Sequence, residues 1–183
     1  MDNNIILFNK DGFLFKKMDS HCYKVEFTME NKNILLANII DFNLIKLIYD
    51  LNPDIYEKVN LEKLSDNQVN ITLLMKHFFE DLGLPQRYIY INMQKFIQDN
   101  IIWFESTSIT KCRPEYICAN ASLMPIKHMS SVCKIITPHN IDFTFTIYFE
   151  ENLDIPAFAE KMVGIILHKI FKRVKQFIEN LRI

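Results

Sequence analysis

Four cysteines and five histidines are the side chains of this chain best suited to metal or nucleophile chemistry. Their spacing does not assemble either. Cys112 and Cys118 stand further apart than the usual ligand pair, and no two histidines sit one helical turn apart on an expected helix. His128 and Cys133 share an expected strand but fall on opposite faces by parity, which removes them as a Cys–His nucleophile pair. The three glycines, Gly12, Gly83 and Gly164, are too scattered to form a phosphate cradle or a nucleophile elbow. Glu80/Asp81 and Glu150/Glu151 fall at expected element ends, where acids are solvated rather than paired for general acid–base work. No catalytic motif, metal site or cofactor site is therefore expected, and an enzymatic role has no support in the residues.

Two other groups of side chains carry binding chemistry. Lys169, Lys172, Arg173 and Lys175 form a basic cluster near the end of the chain. It reads either as cations complementing a helix C-terminus or as a contact for anionic headgroups, at about 1 kcal/mol per basic residue near such a surface. Trp103, Phe143 and Phe145 on expected strands, with Met162, Ile166 and Ile170 on an expected helix, are the candidates to line an interior cavity. In sequence, a cavity wall and a packed core look alike.

Bulk composition narrows the partners. Net charge is -1, so no global field holds nucleic acid. Such binding would need Lys10, Lys16, Lys17, Lys24 and the helix cluster on one face, and none is expected. No apolar run reaches the 18 or so residues of a membrane span, and the Met1-Asp2-Asn3-Asn4 start is not that of a signal peptide. An intracellular, cytoplasmic protein with free thiols is expected, which leaves the acceptor motifs at Asn70 and Asn120 without consequence. Ile, Asn and Lys make up about a third of the chain. That bias points to a low-GC genome, such as that of a large DNA virus, an AT-rich bacterium or a protist.

The elements that must position these groups follow from periodicity. Residues 4–17 read as a hairpin about Asp11-Gly12. Tyr23 to Phe27 alternates and is expected to pair with a return strand Ile34 to Ile40. Asp41 caps a helix over 42–52 with Leu44, Ile45, Leu47, Ile48 and Leu51 as its apolar stripe. Three hairpin-like pairs follow: 58–64 with 68–74, 88–96 with 101–109, and 121–136 with 141–149. Met75 to Leu82 reads as a helical turn or bend, and Lys111 to Asn120 as a surface loop. The last element is a long amphipathic helix over 155–182, capped by Asp154, with Pro156 in its first turn. Its stripe runs Ala159, Met162, Val163, Ile166, Ile170, Val174, Phe177, Leu181, with Lys161, His168, Lys172, Lys175 and Glu179 opposite. Gly164 inside that helix predicts close approach to another backbone, since glycine costs about 1 kcal/mol there relative to Ala. One domain is expected over 1–183, with residues 1–20 an extension, 21–154 the sheet, and 155–182 the closing helix.

The alternating strand Ile141-Asp-Phe-Thr-Phe-Thr-Ile-Tyr-Phe149, followed by Ile155-Pro-Ala-Phe-Ala-Glu-Lys-Met-Val-Gly164, resembles the end of START-like (Bet v 1-like, helix-grip) proteins. The resemblance runs from about Cys22 to Leu181. It implies an α+β fold in which a curved antiparallel sheet wraps a long C-terminal helix, and an apolar ligand or lipid held between them. The hairpin at 4–17 is additional to that plan, and the glycine-rich loop of some members has no glycine at Ser65-Asp66-Asn67. The function expected from the resemblance is non-enzymatic binding of a lipid or other apolar small molecule. The alternative is a protein–protein interaction module, a viral accessory or virion-associated factor, using a sheet edge or the 111–120 loop.

Overall fold

The structure, a computed structural model, describes residues 4–78, 80–152 and 157–182. The strands are β1 (Ile5–Lys10), β2 (Phe13–Lys17), β3 (Cys22–Glu30), β4 (Tyr56–Ser65), β5 (Gln68–Met75), β6 (Arg87–Gln98), β7 (Ile101–Ser108), β8 (Ser122–Leu123), β9 (Ile126–Thr137) and β10 (Asn140–Phe149). Two helices complete the set, α1 (Phe42–Asp50) between β3 and β4, and α2 (Ala157–Asn180) after β10. All strands belong to one sheet in the order β1-β2-β3-β10-β9-β7-β6-β5-β4, antiparallel throughout, with short β8 joining β6 in parallel. The result is the expected antiparallel sheet on a long C-terminal helix.

The local chemistry explains most boundaries. Asp11 and Gly12 take φ of 55° and 78°, the left-handed pair that a two-residue hairpin turn requires. Asp41 caps α1 by accepting from the backbone N–H of Asn43 and Leu44. Asn52 ends α1 by donating to the Ile48 carbonyl at 2.7 Å. Inward-facing Tyr23, Val25, Phe27 and Met29 alternate with outward residues along β3, and all four are buried. β5 is buried on both faces over Ile71 to Leu74, because the 111–120 loop lies on its outer side. There the Tyr116 hydroxyl donates to Thr72 at 2.9 Å, and Ile117 packs with Leu74, Tyr88 and Ala121.

Four sequence expectations change. The return strand Ile34 to Ile40 does not form: Leu36–Ile39 is a short 3-10 turn. The reason is that both edges of β3 are taken, one by β2 and the other by β10. The expected strand 121–136 breaks at Met124-Pro125 into β8 and β9. On α2, Phe177 is 39% exposed and Ile178 is 1% exposed, so the stripe ends on Ile178. His168, expected to face outward, sits beneath the N-terminal hairpin, edge-on to Phe8 and Phe13 at 5.4 and 5.1 Å. The Met75 to Leu82 segment bends and closes in a 3-10 turn over Glu80–Leu82. The Asp154 cap, Pro156 and the side chain of Ala159 lie outside the described residues.

Candidate functional site

The concave face of the sheet packs on both helices in one continuous core. From Phe171 onward, where that ring also borders the pocket, the core is dense: Phe171 meets Phe27, Phe143 and Phe145 with ring centroids 5.3–5.5 Å apart. Between α1 and the first half of α2 it is not, and a pocket of about 250 Å³ remains. Ile45, Ile48 and Tyr49 of α1 form one wall, and Met162, Val163, Ile166, Leu167 and Ile170 of α2 another. The floor is the sheet, through Leu73, Ile89, Met93, Ser106, Met129, Ser131, Phe145 and Ile147. The rim comes from the segments Met75 to Phe78 and Pro85 to Arg87.

The floor shows why the space exists. In cross-strand rows, Ser106 stands between Met93 and Met129, and Ser131 between Phe104 and Phe145. Two small residues occupy the middle of a sheet whose neighbouring inward positions are large. Five of the lining residues are methionines (Met75, Met93, Met124, Met129, Met162), whose unbranched thioethers adapt to irregular shapes. Burial pushes the phenols of Tyr49 and Tyr56 above their ordinary range. Their rings meet edge-on at 5.2 Å beside the mouth. His77 is held at the rim by the Leu84 carbonyl, 2.6 Å from its Nε2, and Gln86 by Glu57 and the Met75 carbonyl.

Of the expected cavity residues, Phe145, Met162, Ile166 and Ile170 line the pocket. Phe143 is buried in the aromatic cluster instead, against Phe27 and Phe171. Trp103 faces the opposite side of the sheet, stacked on Phe96 at 5.3 Å. Its parity is shared with Ile101 and Glu105, whereas Ile102, Phe104 and Ser106 are the buried residues of β7. The basic cluster is consumed internally. Asp54 accepts from Lys169 and Arg173, Asp11 from Lys172 at 2.6 Å, and Glu179 from Lys175 at 2.6 Å. The hydrogen bonds from Arg173 and Lys169 hold the Asp54 carboxyl well below the usual carboxylate range. Lys16 and Lys24 likewise share Glu26 at 2.5 and 2.8 Å, and Lys17 pairs with Glu160. Lys169, Lys172 and Arg173 therefore tie α2 to the segment after α1 and to the hairpin turn, while Lys175 pairs within α2.

His128 and Cys133 lie on opposite faces, as parity requires, and burial pushes the Cys133 thiol up to about 12, leaving it unreactive. On the outer face, Glu105 lies 2.6 Å from His128 Nε2 and accepts from Ser130 at 3.0 Å. The carboxylate stands between serine and imidazole, so the imidazole does not reach the hydroxyl as a general base would. Sequence reasoning missed Ser106 and Ser131. The signal was present: each occupies an inward-parity position in a strand whose other inward residues are large or apolar.

No family model and no curated protein sequence matches the chain. Solved structures do. The human StarD13 (DLC2) lipid transfer and protein localization domain is 10% identical, with a TM-score of 0.71 over 99% of this chain and 91% of that one. Human STARD10 is 11% identical, with a TM-score of 0.66 over 94% of this chain and 71% of its own. A STAR-related lipid transfer protein fragment from Xanthomonas axonopodis is also 11% identical, with a TM-score of 0.64 over 97% and 99%. The chain therefore has the START-like helix-grip fold, carrying the N-terminal hairpin within the same sheet.

Proposed function

We propose that this protein binds an apolar small molecule or a lipid chain in the pocket between α2 and the sheet, without transforming it. The observation that supports this most is the pocket itself, walled by aliphatic and methionine side chains on a fold that solved structures named for lipid transfer share. Its volume of about 250 Å³ sits just under the usual ligand range of about 300–1,000 Å³. That suits one short chain or one ring, and a larger guest requires the rim to widen.

The test is native mass spectrometry of the purified protein with solvent extraction of whatever travels with it, repeated on Met129→Trp. The indole would fill the floor of the pocket. An apolar compound bound at one to one in the native protein, and lost from a folded Met129→Trp, is the expected result. Equal retention by both proteins places the ligand elsewhere and removes this reading. A protein-interaction role has one observation in its favour, the partly exposed Phe96–Trp103 stack on the outer face. Tryptophan and phenylalanine there would serve as contact residues, and Trp103→Ala would weaken partner capture while leaving ligand retention intact.

A further inference from the structure

Five polar residues are buried among the described residues: Asn31, Asn52, Thr72, Ser106 and Ser131. Buried polar groups are almost always hydrogen-bonded, and an exception calls for a reason. Three of the five comply. Asn31 donates to the carbonyls of Ile178 and Leu181, Asn52 to that of Ile48, and Thr72 accepts from Tyr116. The hydroxyls of Ser106 and Ser131, residues 2% and 8% exposed, make no hydrogen bond to the described residues, and they are not sealed as Glu105 Oε2 and His168 Nε2 are: what they open on is the pocket. Both line the pocket.

Their placement makes them a pair. Ser106 stands opposite Met129 and Ser131 opposite Phe104 on adjacent antiparallel strands. That makes them diagonal neighbours on one face, about 7–8 Å apart by ladder geometry. One oxygen atom between them would be within reach of both hydroxyls. A serine hydroxyl donates and accepts, so the pair suits an alcohol, a ketone or an ester carbonyl equally. It does not suit a carboxylate: the charged side chains on the pocket, Lys76 and Arg87, are exposed and belong to its rim, and an unpaired buried charge is strongly disfavoured.

We propose that Ser106 and Ser131 form the polar subsite of the pocket and select an uncharged ligand with one buried hydroxyl or carbonyl oxygen on an otherwise apolar body. This rests on the binding reading above and adds the ligand's chemical class and its orientation. The oxygen points to the sheet floor, and the hydrocarbon lies along α2 toward the rim.

The test uses three probes of matched size, toluene, benzyl alcohol and benzoate. Their affinities are measured by calorimetry and by amide chemical-shift titration on the full chain and on Ser106→Ala/Ser131→Ala. Leaving an alcohol unpaired on an apolar pocket floor costs on the order of tenfold in affinity. The ratio of benzyl alcohol to toluene affinity should therefore fall by about tenfold in the double variant, with toluene binding unchanged or tighter. Benzoate should bind neither protein. The unliganded double variant should melt at or above the native temperature, since it loses no intramolecular hydrogen bond. An unchanged ratio, with both neutral probes bound, overturns the serine subsite while leaving an apolar pocket in place. Benzoate binding as tightly as the alcohol overturns the neutral class. A large loss of melting temperature assigns the serines a structural role. Failure of all three probes on the native protein removes the pocket reading and this assignment together.

Discussion

The two halves of α2 are held by different physics. From Ile170 to Leu181 the helix is fastened: Ile170, Phe171, Val174 and Ile178 are buried, and the Asn31 amide donates to the Ile178 and Leu181 carbonyls at 2.5 and 2.8 Å. Asn31 supplies from a distant turn what a helix C-terminus otherwise takes from solvent. From Glu160 to Leu167 the helix faces the pocket, and Met162, Val163, Ile166 and Leu167 are only half-buried. What holds this half is the N-terminal hairpin. Glu160 accepts from Lys17 and from the Tyr23 hydroxyl at 2.7 Å, and Gly164 lies against the rings of Phe15 and Phe8. A helix that must both close a core and border a binding space divides the two tasks along its length.

Substitution can break or sharpen that contrast. Phe171→Ala removes a ring packed on three others and should cost about 3–5 kcal/mol in urea unfolding. Ile166→Ala, which enlarges a space already present, should cost about 1 kcal/mol, since little packed area is lost. Equal losses would mean that the first half is packed as firmly as the second. Asn31→Ala takes the side-chain donor from the Ile178 and Leu181 carbonyls, of which Ile178 keeps the Leu181 N–H at 3.2 Å, and should cost about 2 kcal/mol. Hydrogen exchange should rise in the last turn of α2 and stay unchanged near Gly164.

Gly164→Ala comes next in size. Helix propensity alone predicts a gain of about 1 kcal/mol, but the new Cβ would stand 2.8 Å from the Phe15 ring, which is 1% exposed. The clash wins, with a net loss of about 1–2 kcal/mol. Phe15→Leu should recover part of it in a double-mutant cycle, which a mere propensity effect would not show.

The smallest effect is electrostatic. Burial would raise the Glu160 carboxyl, yet Lys17 and Tyr23 outweigh it and hold the group below its ordinary value. Arg173 and Lys169 do the same for Asp54 in the other half. A carboxyl depressed in the folded state stabilises fully above its unfolded pKa, and the contribution disappears as pH falls through the folded value. His168, lowered chiefly by burial and then by Lys172, also favours the fold when neutral and opposes it as pH drops below about 6.5. Melting temperature should therefore fall as pH is lowered from 7 toward 3. Asp54→Asn and Lys17→Met should each flatten that profile, Asp54→Asn by less than about 1 kcal/mol because its pairs are solvent-screened. His168→Phe should flatten only its upper part, from about pH 6.5 downward.

Much of this was legible in the chain, and the exceptions share a cause. The Asp11-Gly12 hairpin, the Asp41 cap and the strand alternation of β10 are local patterns, and they appear where periodicity places them. Ile34 to Ile40 misled because alternation shows that a strand is possible and says nothing of whether an edge is free to receive it. Trp103 misled because size and aromaticity suggest interior, while strand parity with Glu105 places it outside. Gly164 signalled close approach correctly, but the neighbour is a pair of phenylalanine rings rather than a backbone. Ser106 and Ser131 carried the most information about the pocket and drew no notice, since two lone serines in separate strands become a pair only once the register is known.

The Asn31 clamp also bears on the order of events during synthesis. Its partners are separated from it by 147 and 150 positions, and β3 pairs with β10 across more than half the chain. A nascent chain emerging from the ribosome can close the β4–β5 and β6–β7 hairpins early. It cannot seat β3 between both its partners, or form the pocket and its closing helix, until β10 and α2 have emerged. Until then the concave face is an exposed apolar surface. Between the emergence of β5 and the arrival of α2, nothing in the sheet's own pairing covers that face.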